Sequence, residues 1–502
     1  MKTISRQIDC NGLYLLLKVY PKSTDSPTMS QHPTLTAPEH CDLLITHIDW
    51  LITVDPARRV ITDACLAVLD GKFVGVGKTA DLLQRWQAPR TELGRGRVVT
   101  PGFVDNHLHA SFQLSRGLAD EANAQQFLYD HMYPYEAANT REDVRVSSAF
   151  AALELLRHGV TCFTDPGNYH PDATIEAVMS TGMRLVAACS CFDKTKSVMG
   201  ILPPSMIEST GACLEKTEGL FERYLGQHKG KLTLSASFRG MNNASDELIV
   251  GLKEIANKHK VKLQTHACFS YQTHDASVSG TGKAEIERLE SLGVLDENMI
   301  LVHSGWLEPQ ELALLVKRKP TLVCSPSSSL HNGYGYMAAG KHPELMAMGV
   351  NVSLGSDHAS SGVVDMVQEM RMAACMYKEV RMNPRVMPPE HAVEMATLNG
   401  AKGVGLQDHI GSIEVGKQAD FVLFDATLPE WQPLYNPVSN LVYSATGNTV
   451  KDVFIAGEQV LKNGELTQIN HQSLMLQVQE AAKRISSRLD MKRLNKLLWP
   501  VH

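Results

Sequence analysis

Eight short apolar runs, separated by helix-sized segments, fill the middle of this chain. They end near Asp105, Asp165, Cys189, Ser237, His266, His303, Ser325 and Asp357. That alternation predicts parallel strands joined by crossover helices. Eight such repeats fit a closed (β/α)8 barrel in an α/β fold, and an open doubly wound sheet is the alternative. In a barrel the C-terminal strand ends converge on one mouth. Here those ends carry His107, His109, His266, His303 and Asp357.

The flanks read differently. Asp42-Leu-Leu-Ile-Thr-His-Ile and Cys65-Leu-Ala-Val-Leu-Asp-Gly-Lys-Phe-Val are strand patterns, and Asp70-Gly71 between β-rich runs predicts a tight hairpin. Asp420-Phe-Val-Leu-Phe-Asp425 and Asp452-Val-Phe-Ile-Ala-Gly repeat the pattern near the other end. The expected layout is a flexible tail over 1–40, a small composite β-sandwich from 41–100 plus 408–470, a barrel over 101–407 and a helical segment over 471–502. In that last segment Leu474, Val478, Ala481, Ile485 and Leu489 recur at helical spacing. Met29 offers a second start within the Ser/Thr/Pro-rich tail, and the apolar patch Gly12 to Tyr20, broken by Lys18, is too short for a signal peptide.

Composition narrows the function classes. Hydrophobic residues make up 43% and charged residues 20%, which is globular rather than disordered. A net charge of −6 gives no electrostatic case for nucleic acid or an acidic membrane surface. No apolar run is long enough to span a membrane. Ten Cys without a C-x-x-C pair imply free thiols in a reducing compartment, so a cytoplasmic location is expected.

Val104-Asp-Asn-His107-Leu-His109 is the sharpest motif. Two His at i and i+2 on a strand end point to one face, so both imidazoles can reach one metal. Two hydrogen-bonded core histidines are the bland reading of the same pair. Three imidazoles and one carboxylate suit Zn²⁺, with Fe²⁺ as the second choice. Such an ion lowers the pKa of bound water toward ~7.

Those residues, with Ser353-Leu-Gly-Ser-Asp357, resemble the amidohydrolase superfamily over roughly Asp42 to Gly464. Arg116-Gly-Leu-Ala-Asp-Glu121, Ser325-Pro-Ser-Ser-Ser329, Glu369-Met-Arg371, Gly411-Ser-Ile-Glu-Val-Gly-Lys-Gln-Ala-Asp420 and Asn436-Pro-Val-Ser-Asn-Leu-Val-Tyr443 are similar to its adenosine-type deaminase and triazine-hydrolase branch. The resemblance implies a metal-dependent hydrolase. His107, His109, His266 and Asp357 would be ligands, Asp357 also the proton shuttle, and His303 the residue that holds water or polarises substrate. Ser235-Ala-Ser-Phe-Arg239 ends the fourth strand without a bridging Lys or Glu, which implies one metal per chain.

Two departures set the expected chemistry. The branch places a Glu three residues after the fifth-strand His, where this chain has Phe269. A phenyl ring cannot transfer protons. The branch's nucleoside deaminases also carry a His after the fourth strand, where this chain has Phe238-Arg239. Cleavage of an amide, urea or carbamate-type C–N bond in a small cyclic or aromatic molecule is therefore the leading expectation. Ring deamination or dechlorination is the alternative, with His331 or His358 as substitute proton donor. A non-catalytic relative acting as a binding protein is the third. Phe269, Trp306, Arg116 and His331 are the substrate-binding candidates, each with ordinary packing or a surface ion pair as its competing role. The expected partners are a small-molecule substrate and further copies of the chain in a homodimer or larger homo-oligomer.

Overall fold

The computed structural model describes residues 38–494 and residue 499. The expected tail falls outside these residues up to position 37. The segment Glu39–His40 pairs in parallel with Trp86–Gln87.

The middle of the chain forms two parallel sheets. The first runs β1 (Phe103–Asp105), β2 (Val160–Thr164), β3 (Arg184–Ala187) and β4 (Leu232–Leu234). The second runs β5 (Ala236–Gly240), β6 (Leu263–Ala267), β7 (Met299–His303), β8 (Thr321–Cys324) and β9 (Val352–Leu354). Only Ser235 separates β4 from β5. Its backbone N donates to Ala187 O, while Ala236 N donates to Lys262 O beside β6. At the other edge Asn106 N donates to Leu354 O, and Leu108 bridges Asp357 in parallel. Backbone hydrogen bonds thus connect β1 with β9, and the chain itself carries β4 into β5 through Ser235.

Helices between the strands bury one face each. Asp246–His259 is an example: the Ser245 side chain caps its first turn by accepting from Leu248 N, with acids in the first turn and bases in the last. Leu248, Ile249, Leu252 and Ile255 form its buried stripe. The closing helix His471–Ser486 buries Leu474, Ala481 and Ile485 at the expected spacing.

Strands from both ends of the chain meet in one nine-stranded sheet. Phe421–Asp425 pairs antiparallel with Arg97–Pro101, the strand that leads into β1. Val60–Leu69 and Lys72–Lys78 pair antiparallel across Asp70-Gly71, both at positive φ (50° and 74°). That backbone gives the hairpin the right twist. Arg184 on β3 and Asp420 pin this sheet to the parallel strands by a buried bidentate pair, at 2.6 and 2.9 Å.

Candidate metal centre and its cavity

Four side chains from three places in the sequence converge where the parallel strands end. Asp357 N donates to His107 O (2.8 Å) and His109 N donates to Asp357 O (2.7 Å), so the backbone past β9 is locked between the two histidines. Gly355 permits this approach: a Cβ there would stand 2.8 Å from His107 Cβ and 3.0 Å from its backbone N. Asp357 (φ 64°) and His303 (φ 75°) both adopt the left-handed conformation, and such outliers cluster at functional sites.

His266 Nε2 lies 3.1 Å from both His107 Nε2 and His109 Nε2. Asp357 Oδ1 is 3.2 Å from His107 Nε2 and 3.7 Å from His109 Nε2. All four ligand atoms lie within 4.8 Å of one another. Two nitrogens sharing a tetrahedral zinc at ~2.05 Å stand roughly 3.3 Å apart, so the spacing fits a shared ion. His303 Nε2 sits 3.9 Å from Asp357 Oδ2, just beyond this set.

Outer partners aim the rings. His266 Nδ1 donates to Arg239 O (2.5 Å), which leaves Nε2 a lone pair toward the centre. Arg239 Nη1 lies 2.9 Å from His109 Nδ1, and its Nη2 donates to the buried Glu136 carboxylate. His342 Nε2 donates to His303 O (2.7 Å) and takes a hydrogen bond from the Tyr377 hydroxyl at Nδ1 (2.7 Å).

The electrostatics favour a cation. Burial drives His109 and His266 well below the usual imidazole range, and burial takes His303 down to about 3. Burial alone would raise Asp357, but His358, His107 and His303 outweigh it and hold the carboxyl well below its ordinary value. Neutral imidazoles beside a carboxylate are the protonation states that metal binding requires.

A cavity of ≈ 730 Å³, its mouth included, opens over this cluster. Phe112, Phe127, Tyr129, Tyr133, Phe192 and Tyr334 line it with aromatic faces. Several come from the π-helical turn Gln126–Met132 and the residues after it, and π-turns often mark functional sites. Phe269 also lines it, with its ring 5.5 Å from that of His303 and 5.2 Å from that of Tyr334.

The other sequence candidates lie elsewhere. Arg116 Nη2 donates to both Glu154 carboxylate oxygens, at 2.9 and 2.8 Å. His331 Nε2 pairs with Asp120 (3.0 Å), and Trp306 Nε1 donates to Tyr334 O (2.8 Å). None of these three side chains lines the cavity. His358 does, stacked on Phe127 at 4.8 Å with Nδ1 2.8 Å from Ser360 Oγ. Sequence reasoning missed the Arg239–Glu136 pair and Glu285, another cavity-lining side chain. The density of aromatic residues between Phe127 and Tyr135 was the signal available for the wall.

Residues 98–460 match the amidohydrolase family. The chain belongs to the amidohydrolase family. It is 32% identical to the 5'-deoxyadenosine deaminase of Methanopyrus kandleri over 440 residues, covering 87% of this chain and 98% of that protein. It is 30% identical to the 5-methylthioadenosine/S-adenosylhomocysteine deaminase of Syntrophobacter fumaroxidans, covering 88% of this chain and 98% of that one. Among solved structures, an adenosine deaminase from Xanthomonas campestris with bound zinc superposes with a TM-score of 0.84 at 29% identity, covering 90% of this chain and all 100% of that one. The zinc-bound atrazine chlorohydrolase of Arthrobacter aurescens shares the fold, with a TM-score of 0.79 at 22% identity over 88% of this chain and 100% of that one. This amidohydrolase is therefore an enzyme that hydrolyses carbon–nitrogen bonds of small molecules, and the binding-protein reading is set aside. Among the described residues no helix is long and apolar enough to cross a membrane.

Proposed function

We propose that this amidohydrolase is a zinc-dependent hydrolytic deaminase of an amino-substituted aromatic heterocycle of the adenine-nucleoside type. The observation that carries the reading is the aromatic-walled cavity opening directly on the His/Asp cluster. Planar faces such as Phe127 and Tyr334 suit a planar ring. The deaminase names of its relatives agree with that choice.

In this reading the eight strand positions, with β4 and β5 continuous through Ser235, form a closed (β/α)8 barrel. The hydrogen bonds between β1 and β9 support closure. The composite sheet of 41–100 and 408–470 is its second domain. His107, His109, His266 and Asp357 hold one zinc. Bound there, zinc would make hydroxide available near neutral pH. Asp357 accepts a proton from water and later gives it to the leaving amino group. His303, beyond the ligand set, orients the water or the ring substituent.

Phe269 favours a second reading, amide- or urea-type hydrolysis in which Asp357 alone moves protons. The zinc-loaded protein should be assayed with aminopurine nucleosides, aminotriazines, cyclic amides, ureas and carbamates. Ammonia with a ring carbonyl product from an aminopurine supports deamination. Turnover confined to the amides, ureas or carbamates overturns it in favour of the second reading.

A further inference from the structure

Adding water across the C=N bond of an aminated ring places an electron pair on the ring nitrogen. A proton must reach that nitrogen, or the aromatic ring resists addition. The metal-centre residues are committed elsewhere: His107, His109, His266 and Asp357 form the ligand cluster, and His303 borders it. Arg239 cannot act, because a guanidinium stays charged, and His358 is stacked on Phe127 with its Nδ1 engaged by Ser360 Oγ. Burial pushes the phenols of Tyr129, Tyr133 and Tyr334 upward, which makes them weaker acids.

One other carboxyl lines the cavity. Glu285 begins the helix Glu285–Ser291 and is only 2% exposed. Its Oε2 accepts from Cys268 N, on the loop that carries Phe269. The carboxyl absent from position 269 is thus brought to the same loop from a different helix. We propose that Glu285 is a catalytic residue of this enzyme, the acid that protonates the ring nitrogen during deamination, an inference that rests on the function proposed above.

The protonation state fits the task. Burial pushes Glu285 up to about 7. Hydrogen bonds from the Cys268 N and thiol oppose that rise, the Glu311 carboxyl adds to it, and Arg288 opposes it. Arg288 is itself engaged with Asp246 and with the carbonyls of Met241 and Ala244. Glu311 Oε1 accepts from Ile286 N, so its carboxyl is held next to the helix start. A group poised near neutral pH both donates and recovers a proton efficiently.

The step balances as follows. Water oxygen bonds to the ring carbon bearing the amino group, and one water proton goes to Asp357. The C=N π pair moves to the ring nitrogen, which takes the Glu285 proton. Asp357 then protonates the amino group, and the C–N bond breaks with its pair leaving on ammonia. The remaining hydroxyl becomes the carbonyl, and its proton restores the acid form of Glu285. Substrate and water give the ring lactam and ammonia, with no further reactant.

Glu285→Gln tests this cleanly, because the amide oxygen can still accept from Cys268 N. On an aminopurine nucleoside the variant should lose roughly 10²–10⁴-fold in kcat with KM nearly unchanged. Wild-type kcat/KM should fall as pH rises through about 7, since the acid form is required, and the residual activity of the variant should lack that limb. A second measurement needs only the unmodified protein. The lactam product donates its ring N–H, so its affinity should rise through about pH 7 as Glu285 ionises. A variant that keeps wild-type kcat and pH profile, or product binding that is flat across that range, overturns the proposal while leaving deamination intact. A wild-type enzyme that releases no ammonia from any aminated ring overturns both.

Discussion

Glu136→Gln is the substitution that probes the support of the metal centre most sharply. Glu136 is 4% exposed and Arg239 5% exposed, and the two side chains are hydrogen-bonded. Glu136 outweighs burial and holds the guanidinium above its ordinary value, while burial raises the Glu136 carboxyl and Arg239 offsets part of that rise. The amide keeps the shape and an acceptor but removes the counter-charge. Breaking a buried pair from one side costs about 3–5 kcal/mol, because the remaining charge stays desolvated. Arg239 Nη1 also lies 2.9 Å from His109 Nδ1, so the unpaired cation sits against a ring of the His/Asp cluster. An uncompensated positive charge beside the cluster disfavours a second cation there, so zinc affinity should fall. Urea unfolding of the metal-free proteins should show the lower stability, and competition with a chromogenic chelator should show the weaker zinc binding. A variant with the wild-type urea midpoint and unchanged zinc affinity would refute the reasoning. Changed stability with unchanged affinity would refute only the link through His109.

Three other outcomes follow from the same structure. Phe269→Ala should raise KM more than it lowers kcat in steady-state assays, since the ring offers apolar contact to ground and transition states alike. Asp165 is buried and pushed up to about 6, so its folded pKa exceeds its unfolded value. Its favourable contribution is then complete below about pH 4 and is lost as pH rises through about 6; Asp165→Asn should gain on wild type by on the order of 2–3 kcal/mol between pH 4 and pH 8 in urea titrations. A chain truncated near Leu406 loses Phe421–Asp425, the partner of Arg97–Pro101, and should be insoluble on expression; soluble, active protein would contradict this.

The His/Asp cluster was legible because its signals are local. His107 and His109 share a strand end two residues apart, and His266, His303 and Asp357 each close an apolar run that the structure shows as, or next to, a strand. The composite sheet was legible for the same reason, through β-rich runs and Asp70-Gly71. Glu285 was not. In sequence it is an acid in the first turn of a short helix, which helix electrostatics alone explains. Only tertiary packing carries its carboxylate to Cys268 N. Trp306, Arg116 and His331 show the converse. Nearness to motif residues along the chain drew attention to them, yet their polar groups point to Tyr334 O, Glu154 and Asp120.

The central claim is that one metal, held by His107, His109, His266 and Asp357, supports deamination of an aminated ring. The most direct test is to add zinc stepwise to metal-free protein and follow ammonia release from an aminopurine nucleoside. The account predicts that activity rises linearly and stops rising at about one equivalent per chain, and that His107→Ala shows no such rise. A break at two equivalents, full activity without metal, or no ammonia at any zinc level would contradict it.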